Sequence, residues 1–349
     1  MKIGLVCPYD IGKPGGVQQL TGELATHLRM RGLAVTFVGA GTRWFHGGPE
    51  LDAITVPAGR AMSIRANQSK APLTLSPTRW PHVRGALDDV DVIHIHEPFI
   101  PMVGWMGLSV DKPTVATFHS DPAEWVRGAY RWAPGVSRKL RRGVVTAVSA
   151  TAASAIPESW GDVRIVPNAI DVEKYRIPTG RIERRVAFLG RDEPRKGLSV
   201  LLEAWPSVID AVPGAQLVVM GADRGIDMEG VKWMGPVSGG EKRRLLASSR
   251  VYVAPNLGGE SFGIVIVEAM AAGCAVIASD LAAFVDVSGG AARHVPVGDA
   301  EALGAEIINV LSDHQVADAM AAASRERVTM FDWQEVVDSY IDLYEEVLS

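Results

Sequence analysis

Residues 251–270 read VYVAPNLGGESFGIVIVEAM and combine a strand, a glycine-rich loop and a helix, in that order. The β-branched run at 251–255 predicts a buried strand. Gly258 and Gly259 open the loop, and the unbroken apolar run at 264–267 predicts a helix that packs inside a domain. A strand that leads through a short loop into a helix is the repeating unit of a parallel α/β sheet.

The same alternation of strands and helices extends outward over the whole chain. Apolar residues between the strands recur at helical spacing, as at Val17, Leu20, Leu24 and Leu28. Short β-branched segments predict two series of strands. The first lies at 2–7, 34–39, 91–96, 114–119, 144–149 and 164–166, and the second at 185–190, 215–221, 231–235, 251–255, 275–279 and 293–296. Each series predicts one α/β unit.

The chain length of 349 residues also suits two domains. The polar stretch 171–183, which contains Pro178 and Gly180, predicts a linker between them. We therefore expect two Rossmann-like domains, residues 1–172 and 184–332, that face a central cleft. The helix predicted at 333–349 follows the last strand, so we expect it to pack back on the first domain. Ligands of such sheets bind beyond the carboxyl ends of the strands.

The composition is that of a soluble globular protein. Apolar residues make up 47% and charged residues 21%, which excludes a disordered chain. No apolar run reaches the roughly 18 residues of a membrane span, and the first residues carry no signal-peptide pattern, so we expect a cytoplasmic protein. Cys7 and Cys274 lie in apolar runs and are expected to be buried, reduced thiols.

The charge is unevenly distributed along the chain. The first 176 residues carry 20 Lys and Arg against 15 Asp and Glu, a balance of +5, and the remainder carries 15 against 25, a balance of −10. A basic half suits an anionic surface, although uneven solvated faces are also common. The net charge of −5 and the lack of a recognition motif argue against nucleic-acid binding.

Two glycine-containing loops follow strands and suit a phosphate. The sequence PGGVQ at 14–18 opens a helix with Gly15 and Gly16, where free backbone N–H groups favour an anion, although a plain turn explains the same residues. The sequence GRDEPRKG at 190–197 places Arg191 and Lys196 where a diphosphate would lie. The alternative for this second loop is a solvated basic turn.

Glu260 and Glu268 flank the start of the helix predicted after the 258–263 loop. Because the two carboxylates are too far apart to share one ligand atom, we expect them to bracket an extended ligand. The helix amino terminus between them would face a diphosphate. The alternative is an amphipathic helix with two exposed acids, but the apolar run before Glu268 favours a buried partner.

His119 ends a predicted strand and is a second candidate, although a histidine there is more often structural. His94 and His96 share one face of their strand, with Glu97 next, and we expect them to pack rather than bind metal. The stretch 125–142 mixes arginines with Trp125, Tyr130 and Trp132, which suits either an anionic membrane surface or a solvated helix.

Together these segments resemble the GT-B-fold retaining glycosyltransferases of the E-x7-E family, and within it the phosphatidyl-myo-inositol mannosyltransferases. The resemblance covers nearly the whole chain. It rests on CPYDIGKPGGVQ at 7–18, DVIHIHEP at 91–98, VATFHS at 115–120, VPNAIDV at 166–172, FLGRDEPRKG at 188–197, the 251–270 stretch and FDW at 331–333.

The resemblance implies a role for each matching residue. Catalytic roles would belong to His119, Glu260, Arg191 and Lys196. The donor would be bound by Gly16 at its diphosphate, by Arg191 and Lys196 at its phosphates, by Glu260 at the sugar, by Glu268 at the ribose, and by the helix start at Ser261, Phe262, Gly263 and Ile264. Tyr9, Gln18 and Ser120 would bind the acceptor. Such enzymes retain the anomeric configuration by front-face attack, so a protein nucleophile is not required.

The implied reaction transfers a hexose, mannose from GDP-mannose, to phosphatidyl-myo-inositol or a related membrane lipid at the inner, cytoplasmic face of the cell membrane. The protein would lie peripherally on that anionic surface. The sequence requires no cofactor, and Mg²⁺, which often accompanies a diphosphate, is supported by no D-x-D pair at a diphosphate loop. Metal ligands are therefore assigned to none of the residues.

The sequence departs from the family pattern in three respects. Phe99 stands where the family has an asparagine that holds the acceptor, and an acidic residue, Glu124, lies near the place of a phosphate-binding lysine. The membrane-binding lysine cluster is reduced to Arg79, His82 and Arg84. Other donors, other acceptors (diacylglycerol, a polyprenyl phosphate or a soluble sugar), and a sugar-nucleotide-binding protein or epimerase on the same fold therefore stay open as alternatives.

Overall fold

A computed structural model of the chain describes residues 1–13, 15–41, 54–57, 61–66, 69–74, 79–100, 102–120, 127–128 and 138–349. Two compact units result. Unit 1 comprises Met1–Ala169 and Trp333–Ser349, and unit 2 comprises Ile170–Asp332. Each unit is an α/β sandwich around one sheet, so the prediction of an α/β chain with two Rossmann-like units is confirmed.

Unit 1 is built on a sheet with the strand order β3-β2-β1-β6-β7-β8-β9, in which all neighbouring pairs are parallel. Its strands are β1 (Lys2–Asp10), β2 (Ala34–Ala40), β3 (Ile54–Pro57), β4 (Ala61–Ala66), β5 (Ser69–Thr74), β6 (Val92–His96), β7 (Thr114–Phe118), β8 (Val144–Ala147) and β9 (Val163–Ile165). The helices that lie entirely within the described residues before β9 are α1 (Gly16–Met30), α2 (Trp80–Asp88), α3 (Val103–Leu108) and α4 (Ala150–Ala153). Strands β4 and β5 form an antiparallel hairpin beside β1.

Unit 2 has the strand order β12-β11-β10-β13-β14-β15, and all its neighbouring pairs are parallel. The strands are β10 (Ile182–Leu189), β11 (Gln216–Met220), β12 (Val231–Gly235), β13 (Ser249–Ala254), β14 (Ala275–Ser279) and β15 (Ala292–Val295). The helices are α5 (Leu198–Ala211), α6 (Gly239–Ala247), α7 (Ile264–Ala271), α8 (Ala282–Ser288), α9 (Ala300–Ser312) and α10 (His314–Arg327). This is the Rossmann strand order, in which ligands bind where the order reverses, here between β10 and β13.

The last helix, α11 (Trp333–Leu348), belongs to unit 1. Trp333, Tyr340 and Tyr344 are buried in the core that also contains residues of β1, β6 and β7. The Trp333 indole stacks on His27 of α1 with ring centroids 4.9 Å apart, and its Nε1 donates to Glu23 at 3.2 Å. The amphipathic pattern of α11 is therefore satisfied by the helices and strands of unit 1.

The twelve predicted strands are all present, with ends that differ by up to three residues. The structure adds β3, β4 and β5, which are not predicted from the sequence. The stretch 171–183 also differs from a free linker. Its start forms a 3₁₀ turn, Val172–Tyr175, in which Val172 and Tyr175 are buried in unit 2. Ile170 N donates to the Phe331 carbonyl at 2.9 Å, so the chain enters and leaves unit 2 at neighbouring positions.

Candidate active site

Two loops of unit 2 meet at the carboxyl ends of the neighbouring strands β10 and β13. Leu257 N donates to the Arg195 carbonyl at 2.8 Å, which ties the 255–263 loop to the 190–197 loop. Gly197 makes this approach possible. Its φ is +68°, and a Cβ built there would lie 1.7 Å from the carbonyl oxygen of Pro255. Only glycine fits so close to another backbone.

Glu260 is the centre of a polar cluster between these loops. Its Oε1 accepts from Lys196 Nζ, from Arg195 Nη1 at 3.0 Å and from Asn256 Nδ2 at 3.0 Å. The Glu260 side chain is only 13% exposed, so these donors replace most of its water. No hydrogen bond from the described residues reaches its Oε2. One carboxylate oxygen is thus fixed by three donors of the protein.

Arg191 lies apart from that cluster. Its Nη2 pairs with Glu193 Oε1 at 3.0 Å, and its side chain is 69% exposed. Glu193 also accepts from Arg195 Nε at 2.9 Å, and Arg195 in turn reaches Glu260. Arg195 and Asn256 are not among the residues predicted from the sequence, although Arg195 lies within the GRDEPRKG loop at 190–197.

Glu268, on α7, is held in the same manner. Its Oε1 accepts from the Tyr175 hydroxyl at 2.6 Å and from Lys242 Nζ, and the residue is 8% exposed. None of the hydrogen bonds among the described residues reaches Oε2. The buried hydroxyl of Tyr252 on β13 has its pKa raised well above the ordinary value by burial, then by the charges of Glu268 and Glu260. The charges of both carboxylates are therefore felt at Tyr252, in the same region of unit 2.

The start of α7 is positioned by packing. Gly263, with φ +93°, precedes the first helical residue Ile264, and a Cβ on Gly263 would lie 2.8 Å from the Phe284 ring. The Phe262 side chain is buried against Phe331, edge to face at 5.8 Å. The Phe262 side chain is therefore not accessible to a ligand. Ser261 and Ile264 are partly exposed.

In unit 1, Glu97, His119 and Ser120 lie at the carboxyl ends of the neighbouring strands β6 and β7. Glu97 Oε1 accepts from His119 N at 2.9 Å and from Ser120 Oγ at 2.8 Å. Glu97 has a φ of 49° and is 3% exposed, and burial raises the pKa of its carboxyl to about 7. Such backbone strain in a buried acid is typical of functional sites. These hydrogen bonds of Glu97 to His119 and Ser120 are not predicted from the sequence.

His94, His96 and His119 form a stacked column beside Glu97. His96 Nδ1 and His119 Nε2 are 2.8 Å apart, and the His94 and His96 ring centroids are 4.2 Å apart. The other end of the column reaches α11, where His94 Nδ1 and the Tyr344 hydroxyl are 2.7 Å apart. The prediction that His94 and His96 pack inside the domain is confirmed, since both are fully buried.

The histidine column makes unit 1 sensitive to acid. Burial lowers the pKa of His94 to about 3 and of His119 to about 4, and lowers that of His96 well below 6.5. Each histidine therefore contributes stability that is present above pH 6.5 and is lost progressively as the pH falls below 6.5. Glu97 acts in the opposite sense between pH 7 and 4.5, but it is one group against three.

We expect unit 1 to lose about 2 kcal/mol of unfolding free energy for each pH unit between 6 and 5. Hydrogen exchange of the β6 and β7 amides, corrected for the intrinsic pH dependence, measures this loss. The β13 and β14 amides of unit 2 are the internal control. Equal protection of β6 and β7 at pH 6.5 and 5 contradicts the expectation.

The remaining predicted residues of unit 1 lie near the carboxyl end of β1. Gly16 is exposed at the start of α1, and a Cβ there would meet nothing within 4 Å, so no internal contact requires glycine at this position. Gln18 is 6% exposed, and its Nε2 donates to the Asp10 carbonyl at 3.4 Å. Tyr9 is half-buried on β1, whose neighbour β6 leads to Glu97.

The three departures from the family pattern have different surroundings. The Phe99 ring stacks on Trp160 with centroids 5.2 Å apart. Arg79, His82 and Arg84 are exposed around α2. Glu124 and most of the 125–142 stretch lie outside the described residues. Among the residues that the structure covers, no group of three or more His, Cys, Asp or Glu could hold a metal ion, and no helix is long and apolar enough to cross a membrane.

Sequence comparisons match both halves of the chain to glycosyltransferase families. A family described as Glycosyltransferase Family 4 matches residues 14–174, and one described as Glycosyl transferases group 1 matches residues 183–313. Phosphatidyl-myo-inositol mannosyltransferases of Mycolicibacterium smegmatis and Mycobacterium leprae are each 37% identical, over 99% of this chain and 94% and 97% of their own lengths. That of Propionibacterium freudenreichii is 32% identical over 99% of this chain and 94% of its own.

Solved structures agree on the fold. HepE of Anabaena in complex with UDP superimposes with a TM-score of 0.76 at 18% identity, over 99% of this chain and all of that one. A glycosyltransferase from Rickettsia africae gives a TM-score of 0.75 at 17% identity, over 100% of this chain and 98% of that one. These neighbours are GT-B glycosyltransferases, so the GT-B prediction is confirmed.

Proposed function

Because this chain belongs to the family of phosphatidyl-myo-inositol mannosyltransferases, enzymes of GT-B fold, we propose that it transfers mannose from GDP-mannose to phosphatidyl-myo-inositol. The chain is a glycosyltransferase that acts on a nucleotide sugar. The donor nucleotide and the roles of individual residues are part of the proposal. One observation carries it: the two carboxylates of unit 2 are each fixed through one oxygen, while the other oxygen has no partner among the described residues.

The donor would bind to unit 2. Glu260 Oε2 would accept hydrogen bonds from mannose hydroxyls, and Glu268 Oε2 would accept them from the ribose. The amino terminus of α7, between the two acids, offers free N–H groups to the diphosphate. Lys196, already beside Glu260, would turn to the phosphates, and the exposed Arg191 would join it. Gly16, on unit 1, would also contact the diphosphate.

The acceptor would bind to unit 1. Tyr9, Gln18 and Ser120 lie near the carboxyl ends of β1 and β7 and would face the inositol phosphate. Ser120 is held by the buried Glu97, which also fixes the His119 backbone. His119 would then lie beside the transferring mannose.

The reaction would proceed with retention of the anomeric configuration. The acceptor hydroxyl would attack on the face from which the diphosphate departs, and the diphosphate would take up the acceptor proton. The chain's own contribution would be to position both substrates and to stabilise the negative charge that develops on the departing phosphate. Lys196, Arg191 and the N–H groups of α7 are the groups suited to that task.

We also propose that the protein binds peripherally to the anionic cytoplasmic face of the cell membrane. Nucleotide sugars are cytoplasmic metabolites, and the acceptor is a membrane lipid. Arg79, His82 and Arg84 around α2, together with Arg141 and Arg142, are exposed and could meet anionic headgroups. Each such arginine contributes about 1 kcal/mol near an anionic surface.

A transfer assay with purified protein tests the proposal. Radiolabelled GDP-mannose, UDP-glucose and ADP-glucose are each combined with phosphatidylinositol, diacylglycerol or a polyprenyl phosphate in mixed micelles. We expect product only from GDP-mannose with phosphatidylinositol, as an α-linked mannoside by NMR. We also expect GDP-mannose to raise the melting temperature, since it binds the folded state alone. Transfer from another donor, to another acceptor or with inversion overturns the corresponding part of the proposal.

A further inference from the structure

The contact between His96 and His119 joins two buried or partly buried imidazoles through their nitrogens. His96 is fully buried, and its Nδ1 lies 2.8 Å from His119 Nε2. His96 Nε2 makes no hydrogen bond within the described part of the chain. Because both rings have a lowered pKa, each is neutral near pH 7 and carries one ring proton. One of the two imidazoles must therefore donate the shared hydrogen bond and the other accept it.

The two possible arrangements differ in what they leave buried. If His119 Nε2 donates, His96 Nδ1 must accept and cannot carry a proton. The single ring proton of His96 then lies on Nε2, as a buried N–H without a partner among the described residues. If His96 Nδ1 donates, its Nε2 is an unpaired acceptor. Buried donors without partners are rarer than buried acceptors without partners. His96 is therefore the donor, and the proton of His119 lies on Nδ1.

The column holds the His96 ring in place, since His96 stacks on His94 at 4.2 Å and on His119 at 5.0 Å. Glu97 fixes the His119 backbone.

We propose that His96 is a positioning residue that holds His119 with its ring proton on Nδ1, so that His119 meets the transferring sugar or its phosphate as a neutral hydrogen-bond donor and not as a base. This inference rests on the proposed function for the identity of the reaction. In this proposal, His96 sets the ring orientation and the tautomer of His119 without touching either substrate.

The tautomer can be measured without substrate. In protein labelled with ¹⁵N-histidine, the ¹⁵N chemical shifts of Nδ1 and Nε2 distinguish the two tautomers of His119. The His119 signals are assigned as those that disappear in His119→Gln. We expect the Nδ1–H form in the wild type. We expect it to persist in His96→Asn, whose amide N–H replaces the Nδ1 donor, and to give way to a mixture in His96→Leu. Wild-type protein with the Nε2–H form overturns the proposal without any variant.

Kinetics then test the consequence. We expect His96→Leu to lower kcat about tenfold with the donor KM unchanged, and His96→Asn to restore most of it, because one hydrogen bond is involved. Tyr344→Phe, which removes the hydroxyl at the far end of the column and keeps its ring, should change neither the tautomer nor kcat. Equal kcat in His96→Leu and wild type overturns the proposal. If the wild type transfers no mannose, the proposed function fails, and the NMR result alone decides the tautomer.

Discussion

Replacing Glu260 with glutamine is expected to lower kcat for mannosyl transfer by about 100-fold or more. The carboxylate holds Lys196, Arg195 and Asn256 through one oxygen in a site that is 13% exposed. The neutral amide of glutamine cannot balance the positive charges of Lys196 and Arg195. It also presents the sugar hydroxyls with an uncharged acceptor in place of an ionised carboxylate oxygen. Loss of one well-placed charged partner in such a site costs two to three orders of magnitude.

The affinity for donor should respond differently from kcat in this variant. Lys196 and Arg195 remain and are less neutralised, so the Kd of GDP-mannose should stay within a few-fold of wild type. Isothermal titration with GDP-mannose and single-turnover transfer measure the two quantities separately. Asp318→Asn, which weakens the ion pair of the exposed Asp318 carboxylate with the buried Arg250 elsewhere in unit 2, is the matched control and should keep full kcat. A Glu260→Gln protein that transfers mannose as fast as this control contradicts the assigned role.

The fold follows closely from local sequence. The strands of both sheets are short β-branched runs between helical patterns, and each such run forms a strand because both faces of a parallel sheet are covered by helices. The hairpin of β4 and β5 gives a weaker signal, since β5 contains Pro72 and neither strand is a continuous apolar run. The 171–183 stretch looks like a linker because it is polar, yet Tyr175 is buried by a contact that only the folded unit supplies.

Some contacts of the candidate site can likewise be predicted from the sequence, and others depend on tertiary packing. Lys196 and Glu260 lie in loops that follow neighbouring strands, so strand order alone brings the loops together, and sequence can indicate this. Tyr175 and Lys242 reach Glu268 from 93 and 26 residues away, with no shared periodicity. Alternation predicts that His94 and His96 share a face, but their link to Tyr344 across 250 residues depends on tertiary packing.

Replacing Gly197 with alanine is expected to destabilise unit 2 by about 3 kcal/mol and to abolish most transfer. A φ of +68° costs an L-residue about 1 to 2 kcal/mol, and a Cβ at 1.7 Å from the Pro255 carbonyl oxygen forces the two backbones apart. That movement separates Lys196 and Arg195 from Asn256 and Glu260. Thermal unfolding and transfer assays on one preparation measure both effects.

The comparison with Gly240→Ala separates this effect from glycine replacement in general. Gly240 lies in α6, and a Cβ there meets nothing within 4 Å, so alanine should be neutral or stabilising by up to about 1 kcal/mol. Gly197→Ala should also lose the rise in melting temperature that GDP-mannose gives, because the loop that carries Lys196 is displaced. A Gly197→Ala protein with wild-type stability and kcat would mean that the 190–197 and 255–263 loops need not touch. The assembly of Lys196 with Glu260 would then not be what the site requires.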